Sequence, residues 1–470
     1  MSQIEQAVAF LRDPRATQHS LQQRIDFLRT KGLSQASIDQ ALERVSGRSG
    51  GGTARHVVAD ETIEANGGLL EYSVVYTDRA LNHMSTTFMG VMTDLHAGLT
   101  KVYNTDHAVL IPGSGTYGME AVARQFGEGR KVLVIRNGYF SYRWSQLFDS
   151  MGSTDVTVLK AAPDPSTGQY RPPPIAEVVA TIHRERPSLV CAPHVETSIG
   201  LILPRTYCMA VAAAVKAVGG VFCLDGIASG NAWVNMNDGG PDVYLTAPQK
   251  GWTGPSCVGI VMMSNRAKDI MKAGPPSSSF AIDLDKWSDL MDTYCSGGFA
   301  YHTTMPTDAL RTFRDVFVES QKHAGGFEAL EASCWRLGMG VRQVFKDFGY
   351  TSVAADEFAA PGVVVVFAND AKYAARFKAK GLQIAAGVPF KLGEPEGTTT
   401  YRIGLFGLDK LQNVELAVGK VSSRTRVVCV RCTRPVAVAL DSTPLAHLVH
   451  AAQFKDTLSE IEGELQAGAR

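Results

Sequence analysis

The chain has 470 residues, of which 45% are hydrophobic and 20% are charged, a balance that excludes a collagen, a disulfide scaffold and a mainly disordered chain. Lys and Arg together number 46, as do Asp and Glu, so the formal net charge is zero and an overall electrostatic attraction to nucleic acid is not expected. No apolar run reaches the length of about 20 residues that spans a bilayer, so we expect no membrane-spanning helix. The early acidic Glu5 argues against a secretory signal peptide.

Residues 1–47 have the pattern of a small helical unit. Apolar side chains recur at helical spacing in three stretches, for example Val8 and Leu11 in the first and Ile38 and Leu42 in the last. The next segment, SGRSGGGT at 46–53, has the glycine- and serine-rich composition of a flexible linker. We therefore predict a helical domain at 1–47 and a linker at 48–68.

From about residue 69, short apolar runs alternate with helix-like stretches. Strand-like runs lie at 108–112, 131–136, 188–193, 221–225 and 363–367. This alternation is typical of βαβ units around a parallel sheet, so the sequence predicts an α/β fold. A basic run from Arg424 to Arg434 and a helix-like stretch follow. We interpret them as an appended surface element, with a functional arm as the alternative.

The eight cysteines are scattered, and four of them lie in apolar segments, as expected for reduced thiols buried in an intracellular protein. Cys429 and Cys432 form a single C-x-x-C motif. A structural zinc site needs about four ligands, and no second pair follows at a suitable spacing. We therefore predict no metal site.

Two features of the central region favour ligand binding. Gly113-Ser-Gly-Thr116 lies between a predicted strand and a predicted helix, where backbone N–H groups and the positive helix end can hold a phosphate. Close packing is the alternative explanation of such a turn. Asp225 ends a predicted strand, so its carboxylate points into the crevice where α/β sheets bind ligands, unless it only caps the next helix.

The third feature is Lys250, which lies in the apolar, glycine-rich turn TAPQKGW at 246–252. A lysine is costly to bury as a cation, and the resulting low pKa is what a Schiff-base lysine needs. The alternative, an exposed surface lysine, fits the apolar flanks poorly. A phosphate loop, a strand-end aspartate and this lysine, in this order, describe a pyridoxal phosphate site: the lysine binds the cofactor and the aspartate keeps its pyridine nitrogen protonated.

Seven motifs follow one another in this region. They are GSGTYGMEA at 113–121, NGYFSYR at 137–143, HVETSIG at 194–200, LDGIAS at 224–229, PQKGWTGPSCVG at 248–259, YHTT at 301–304 and YRIGLFG at 401–407. In this order, residues 70–421 resemble the class V aminotransferases of fold type I, in particular the alanine–glyoxylate, serine–glyoxylate and 2-aminoethylphosphonate–pyruvate enzymes. The resemblance implies a large domain with a mostly parallel sheet at 69–322, a smaller α/β domain at 323–421 and an extension at 422–470.

The resemblance also implies which residues form the cofactor site. Those expected at the phosphate are Ser114, Gly115, Thr116 and Gln249. Those expected at the ring are Phe140 and Ile227 on its two faces, Thr197 or Ser198 at its hydroxyl, Asp225 at its nitrogen and Lys250 in covalent linkage. Lys250 is also expected to transfer protons during catalysis.

Three further residues follow from the resemblance. Tyr301 and Thr304 match residues that reach the phosphate of the neighbouring subunit, which implies a homodimer. Arg402 matches the arginine that binds the substrate carboxylate with two hydrogen bonds. The implied activity is transamination between a small amino acid, such as alanine or serine, and a small 2-oxo acid, glyoxylate or pyruvate. A 2-aminoethylphosphonate-type transaminase or a lyase on the same fold is the alternative.

The sequence departs from the family pattern at 76–84, where the family commonly has a Gly-Pro-Gly-Pro segment that lines the substrate pocket. Arg79, Asn82 and His83 are the candidates to enter the pocket here. Gln249 precedes the lysine in place of histidine, and no cysteine stands on an evident glycine-rich mobile loop between 320 and 390. Both features speak against the cysteine desulfurase branch of the fold.

The N-terminal unit has a resemblance of its own. AVAFLRDP at 7–14, followed by LQQRIDFL at 21–28 and KGL at 31–33, is similar to the N-terminal domain of the peroxisomal docking peroxin. Phe10 and Phe27 match the two aromatic residues that flank its pockets for a helical W-x-x-x-F/Y peptide of the import receptor. The resemblance implies a peroxisomal location, with the cytoplasm as the alternative. The two phenylalanines are otherwise simply core residues of a small bundle.

Overall fold

The structure is a computed structural model that describes residues 3–13, 16, 21–45, 63–64, 66–77, 80–153, 155–323, 325–368, 370 and 372–428. It divides the chain into two compact units, residues 1–62 and 63–470. Most of the predicted C-terminal extension, including the C-x-x-C motif, lies outside the described residues. Within the described ranges, no helix is long and apolar enough to cross a membrane, and no group of three or more His, Cys, Asp or Glu side chains could hold a metal ion.

The N-terminal unit contains three short helices, α1 (Gln3–Arg12), α2 (Leu21–Thr30) and α3 (Gln35–Val45). Their apolar stripes meet in a small core of Ala7, Leu11, Leu28, Ile38 and Ala41. The small side chains of Ala7 and Ala41 let the helices approach closely in this core. The predicted N-terminal helical bundle is therefore confirmed.

The larger unit is built on a seven-stranded sheet. Its strands, with the short strands between them, are β1 (His107–Pro112), β2 (Val132–Arg136), β3 (Val156–Lys160), β4 (Ala162–Pro163), β5 (Tyr170–Arg171), β6 (Leu189–Pro193), β7 (Val195–Glu196), β8 (Leu201–Ile202), β9 (Val221–Asp225), β10 (Val243–Thr246) and β11 (Val258–Met263). The order in the sheet is β1-β11-β10-β9-β6-β2-β3, with β11 antiparallel to both neighbours and the other pairs parallel. This confirms the predicted mostly parallel α/β sheet.

The central strands are buried on both faces because helices flank the sheet. All residues of β6, β9, β10 and β11 are buried, which is the usual state of strands in a parallel sheet. The helices of this part of the chain are α4 (Thr86–Tyr103), α5 (Gly115–Phe126), α6 (Tyr139–Ser150), α7 (Ile175–Glu185), α8 (Arg205–Ala217), α9 (Asn265–Ala273), α10 (Leu284–Cys295) and α11 (Thr307–Gln321).

A second apolar core forms in the C-terminal part of the larger unit. It contains buried residues such as Leu337, Val364, Tyr401 and Val418. The elements here are α12 (Gly326–Asp347), a 3-10 turn (Asp356–Phe358), β12 (Val363–Phe367), α13 (Tyr373–Ala379), β13 (Ala385–Ala386), β14 (Thr400–Gly404), α14 (Leu408–Leu411) and α15 (Val414–Val428). The three strands form an antiparallel sheet in the order β12-β14-β13. The proposed domain boundary at 322 falls between α11 and α12.

Two features of the structure lie near the proposed domain boundaries. Helix α15 continues beyond residue 421 to Val428, and its buried Ser422, Thr425 and Val428 show that this turn packs within the protein. Within the segment 48–68, which is proposed as a linker, Asn66 is buried and its Oδ1 accepts the backbone N–H of Asn82 at 3.0 Å. Composition does not indicate either feature, because both depend on contacts with distant parts of the chain.

Candidate active site

Five predicted site residues lie at one edge of the large sheet. Strands β1, β2, β6, β9 and β10 run in the same direction, so their carboxyl ends lie together. Ser114, Phe140, Thr197, Asp225 and Lys250 each stand at or shortly after the end of one of these strands. This edge is where open α/β sheets bind their ligands.

The first turn of α5 forms the predicted phosphate loop. Ser114 is the N-cap residue, and its side chain makes no capping hydrogen bond, so it does not occupy the free N–H groups at the helix start. A Cβ added to Gly115 would lie 2.5 Å from Cδ1 of Ile227, so the loop could not approach Ile227 this closely with any other residue. The Oγ1 of Thr116 accepts a hydrogen bond from Arg143 at 3.0 Å.

Asp225 is buried at the end of β9, in the middle of the sheet. Its Oδ1 accepts the backbone N–H of Ile227 at 3.1 Å. Burial raises the pKa of the Asp225 carboxyl to about 7, and the nearby negative charge of Glu196 adds to this effect. No salt bridge to Asp225 occurs among the described residues. A cationic ligand atom at this position would therefore be strongly favoured, because it would stabilise the charged carboxylate.

Lys250 is half-buried, and burial together with the positive charge of Arg402 lowers the pKa of its amine. Its Nζ makes no hydrogen bond or ion pair with any described residue and lies 5.9 Å from the centroid of the Phe406 ring. The preceding Gln249 has a buried Oε1 without a hydrogen-bond partner. The turn thus presents one amine and one amide group that are available to a ligand.

Arg402 lies on β14 of the smaller sheet and is half-buried. Its Nε donates to the carbonyl of Ala386 at 3.0 Å, and its guanidinium lies 5.8 Å from the centroid of the Phe140 ring. Arg143 lies at the same distance from that ring. Burial lowers the pKa of Arg402, and the charge of Glu196 partly offsets this. The Nη groups of Arg402 make no hydrogen bond within the described ranges, which leaves the forked end for an anion.

Glu196 is a central residue of the site that the sequence analysis did not single out. It is fully buried, and its two carboxylate oxygens accept the backbone N–H groups of Phe140 and Ser141 at 3.2 and 2.9 Å. The carboxylate therefore neutralises the positive start of α6 and fixes the backbone that carries Phe140. Gly138 is required here because a Cβ would lie 2.6 Å from Cγ of Glu196.

The Glu196 carboxylate also distinguishes Ser198 from Thr197, the two residues expected at the hydroxyl of the cofactor ring. Ser198 is fully buried; its hydroxyl donates to Glu196 at 2.7 Å and accepts the N–H of Tyr139 at 3.0 Å. Thr197 is half-buried and its side chain makes no hydrogen bond among the described residues. Ser198 holds the loop in place, whereas the hydroxyl of Thr197 is not committed.

Among the described residues, Tyr301 and Thr304 make no hydrogen bond or ring contact with the site residues at the sheet edge. They lie between α10 and α11, both exposed, with their hydroxyl oxygens 3.2 Å apart. In the segment at 76–84, Asn82 donates to Glu71 and Ser73 at 2.6 and 3.0 Å, so its side chain holds the segment itself. Arg79 lies outside the described residues.

One edge of the mostly parallel sheet carries a buried carboxylate, an available lysine amine and a helix start without a side-chain cap, as expected for a fold type I enzyme. A family model described as aminotransferase class-V matches residues 52–289, just over half of the chain. The chain belongs to the class-V aminotransferases.

Several individual proteins are also similar to this chain. The chain is 30% identical over 292 residues to a protein of Synechococcus sp. (strain PCC 6716) named soluble hydrogenase, small subunit, covering 61% of this chain and 72% of that protein. It is 28% identical over 277 residues to the L-aspartate–glyoxylate aminotransferase of Paracoccus denitrificans, and the match covers 57% of this chain and 66% of that protein. The crystal structure of an alanine–glyoxylate aminotransferase from Nostoc sp. has the same fold, with a TM-score of 0.62, 18% identity and coverage of 78% of this chain and 92% of that one.

The N-terminal unit has a separate match. A model described as the Pex14 N-terminal domain matches residues 1–44. The resemblance of this unit to the docking peroxin domain is therefore confirmed. Phe10 and Phe27 stack with their ring centroids 4.9 Å apart, and Phe27 is 45% exposed.

Proposed function

We propose that this protein is a pyridoxal phosphate-dependent transaminase that moves an amino group from a small amino acid to glyoxylate or pyruvate. The observation that carries the proposal is the meeting of Ser114, Asp225 and Lys250 at the carboxyl edge of the sheet. The cofactor phosphate needs an anion site, its ring nitrogen needs a carboxylate and its aldehyde needs an amine. Ser114, Asp225 and Lys250 would supply these in turn.

The described side chains fit the cofactor. Asp225 is a buried carboxylate without a salt-bridge partner in the described ranges, Gln249 has a buried Oε1 without a hydrogen bond, and Lys250 has an unpaired amine of lowered pKa. Each of these unfavourable features would be relieved by the matching group of pyridoxal phosphate. The residues that would hold it are Ser114, Gly115, Thr116, Gln249, Phe140, Ile227, Thr197 or Ser198, Asp225 and Lys250.

Three side chains carry the chemistry in this proposal. The cofactor, when bound, supplies an electron-accepting ring that acidifies the α-proton of the substrate. Lys250 takes that proton at its Nζ, for which its lowered pKa is suitable. Arg402 binds the substrate carboxylate through its free Nη groups, and Asp225 holds the ring nitrogen by its charge.

The substrate class is supported by the relative from Paracoccus, whose name specifies an amino acid donor and glyoxylate. A panel of alanine, serine, aspartate and 2-aminoethylphosphonate, each with glyoxylate and with pyruvate, tests the proposal. We expect at least one pair to give the new amino acid and 2-oxo acid in equal amounts. If a donor is consumed but no acceptor is aminated, the alternative of a lyase is correct and transamination is wrong.

The enzyme is proposed to act as a homodimer, to which Tyr301 and Thr304 would contribute across the interface. Phe280, Phe299 and Tyr301 are aromatic side chains that are 75%, 49% and 56% exposed. Exposed apolar groups of this size are typical of a surface that another protein covers. Light scattering of the purified protein tests this, with a mass of two chains as the expected result.

The N-terminal unit is proposed to bind a helical W-x-x-x-F/Y peptide and so to associate the enzyme with the peroxisomal import receptor. The support is the exposed face of Phe27, stacked on Phe10 and covered on one side by Lys31, whose Nζ is 5.3 Å from the ring centroid. Titration of the full chain with such a peptide, compared with Phe27→Ala, tests it. Equal binding by both proteins would leave the location in the cytoplasm as the better proposal.

A further inference from the structure

The segment that replaces the family's Gly-Pro-Gly-Pro stretch holds a histidine inside an aromatic cluster. The ring of His83 lies 5.5 Å from that of Tyr301, 5.6 Å from that of Tyr76 and 6.1 Å from that of Phe299, measured between centroids. His83 is only 5% exposed, whereas Tyr301 is 56% exposed. The cluster therefore has a buried histidine behind an exposed tyrosine.

The backbone around His83 is fixed on both sides. The carbonyl of His83 accepts the hydroxyl of Tyr294 at 3.0 Å. The preceding Asn82 bonds Glu71 and Ser73 through its amide, and its Oδ1 accepts the N–H of Met84 at 2.8 Å. A residue anchored in this way offers its neighbours a rigid surface.

The His83 ring acts through packing rather than through a hydrogen bond of its Nδ1. That nitrogen is buried and has no hydrogen-bond partner among the described residues. Burial also lowers the pKa of His83, against a smaller opposing effect of Glu71, so the ring is a neutral aromatic surface at neutral pH. What the ring does contact is Tyr301, whose hydroxyl lies 3.2 Å from that of Thr304.

From these contacts we infer that His83 is a positioning residue that holds Tyr301, and with it the Tyr301–Thr304 hydroxyl pair, in the orientation needed to bind the cofactor phosphate of the neighbouring subunit. The inference rests on the proposed function, because it needs a cofactor with a phosphate and a partner subunit. It assigns to the unusual 76–84 segment a role in binding the cofactor across the dimer, distinct from lining a substrate pocket.

The test compares two forms of the cofactor. Affinities of the cofactor-free protein for pyridoxal phosphate and for pyridoxal, which lacks the phosphate, are measured for the wild type and for His83→Ala. We expect pyridoxal phosphate to bind about tenfold more weakly to His83→Ala, because a hydrogen bond to the charged phosphate is lost. Pyridoxal should bind equally to both proteins. An equal loss for both ligands, or no loss for either, would overturn the inference.

Matched variants separate positioning from general loss of structure. His83→Phe keeps the aromatic surface and removes the unpaired nitrogen, so it should bind pyridoxal phosphate like the wild type. His302→Ala is the control, because this neighbouring histidine packs on Phe280 and Trp287 instead, with centroid distances of 4.7 and 5.2 Å. If His83→Ala does not fold, His83→Leu keeps the volume without the ring and should show the same selective loss.

Mixed dimers test whether His83 acts on the cofactor site of its own subunit or on that of the partner subunit. A dimer of one Lys250→Ala subunit and one His83→Ala subunit has a single site that combines an intact Lys250 with an intact His83 from the other chain. It should bind one pyridoxal phosphate with wild-type affinity. Affinity as weak as that of the His83→Ala homodimer would place the effect within one subunit and overturn the inference. If the wild type itself binds no pyridoxal phosphate, the proposed function fails instead.

Discussion

The backbone N–H of Ile227 donates to Oδ1 of Asp225 at 3.1 Å, and this bond joins two parts of the site. The side chain of Ile227 also lies against the start of α5, where a Cβ at Gly115 would be 2.5 Å from its Cδ1. One residue thus fixes the distance between the buried carboxylate and the phosphate loop.

Gly115→Ala should disturb the loop and weaken cofactor binding. The new methyl group has no room beside Ile227, and overpacking of this kind costs about 1–3 kcal/mol of folding free energy. Chemical denaturation and titration with pyridoxal phosphate measure the two effects. Gly90→Ala on α4 is the control, because nothing lies within 4 Å of its added Cβ. Equal behaviour of the two variants would contradict the account.

Asp225 should make the stability of the cofactor-free protein depend on pH. Because burial raises its pKa from an ordinary value of 3.8 to about 7, the folded chain keeps a proton that the unfolded chain releases in this range. The free energy of unfolding should therefore fall as the pH rises from about 4 to about 7, relative to Asp225→Asn. Denaturation of both proteins across this range measures the difference, and parallel curves would contradict the raised pKa.

Glu196→Gln should lower the pKa of Asp225, because the negative charge of Glu196 contributes to raising it. The difference in free energy of unfolding between Glu196→Gln and the double variant Glu196→Gln/Asp225→Asn should therefore change less with pH. The comparison is the same difference between the wild type and Asp225→Asn. The variant should also be less stable by about 1–3 kcal/mol, since charged hydrogen bonds to the start of α6 are weakened. Glu319→Gln on the exposed side of α11 is the control and should show neither change.

Arg402→Lys should impair substrate binding more than cofactor binding. A lysine cannot form the two parallel hydrogen bonds of a guanidinium with a carboxylate, so kcat/KM for the preferred amino acid should fall about 10–100-fold. The affinity for pyridoxal phosphate should stay within about twofold of the wild type. Arg376→Lys, at an exposed position of α13, is the matched control. A similar loss in both variants would contradict a role of Arg402 at the substrate.

The sequence predicted the parts of the site that single loops encode. The glycine turn at 113–116, the strand-end Asp225 and the lysine turn at 246–252 each carry a local signal, and the α/β alternation indicated that their strands end at one edge. The fold class needed no further information, because a parallel sheet buried on both faces leaves near-continuous apolar runs such as Val221–Leu224.

What the sequence did not predict depends on contacts between distant segments. Glu196 lies in the motif HVETSIG, but its role depends on a distant segment. The first N–H groups of α6 bond its carboxylate, and Ser141 among them is 55 residues away in the chain. Asn82, a candidate for the pocket, bonds Glu71 and Ser73, and these two contacts were not predicted. Glu196 is the one acidic residue of HVETSIG and closely follows a predicted strand, and this position is the signal that could have pointed to it.

The central claim is that Lys250 is the residue that binds pyridoxal phosphate. The protein is incubated with the cofactor, reduced with borohydride and digested, and the modified peptide is identified by mass spectrometry. The account predicts one modification, on the peptide that contains Lys250, and none in Lys250→Ala. No modification of the wild type, or modification at another lysine alone, would contradict it.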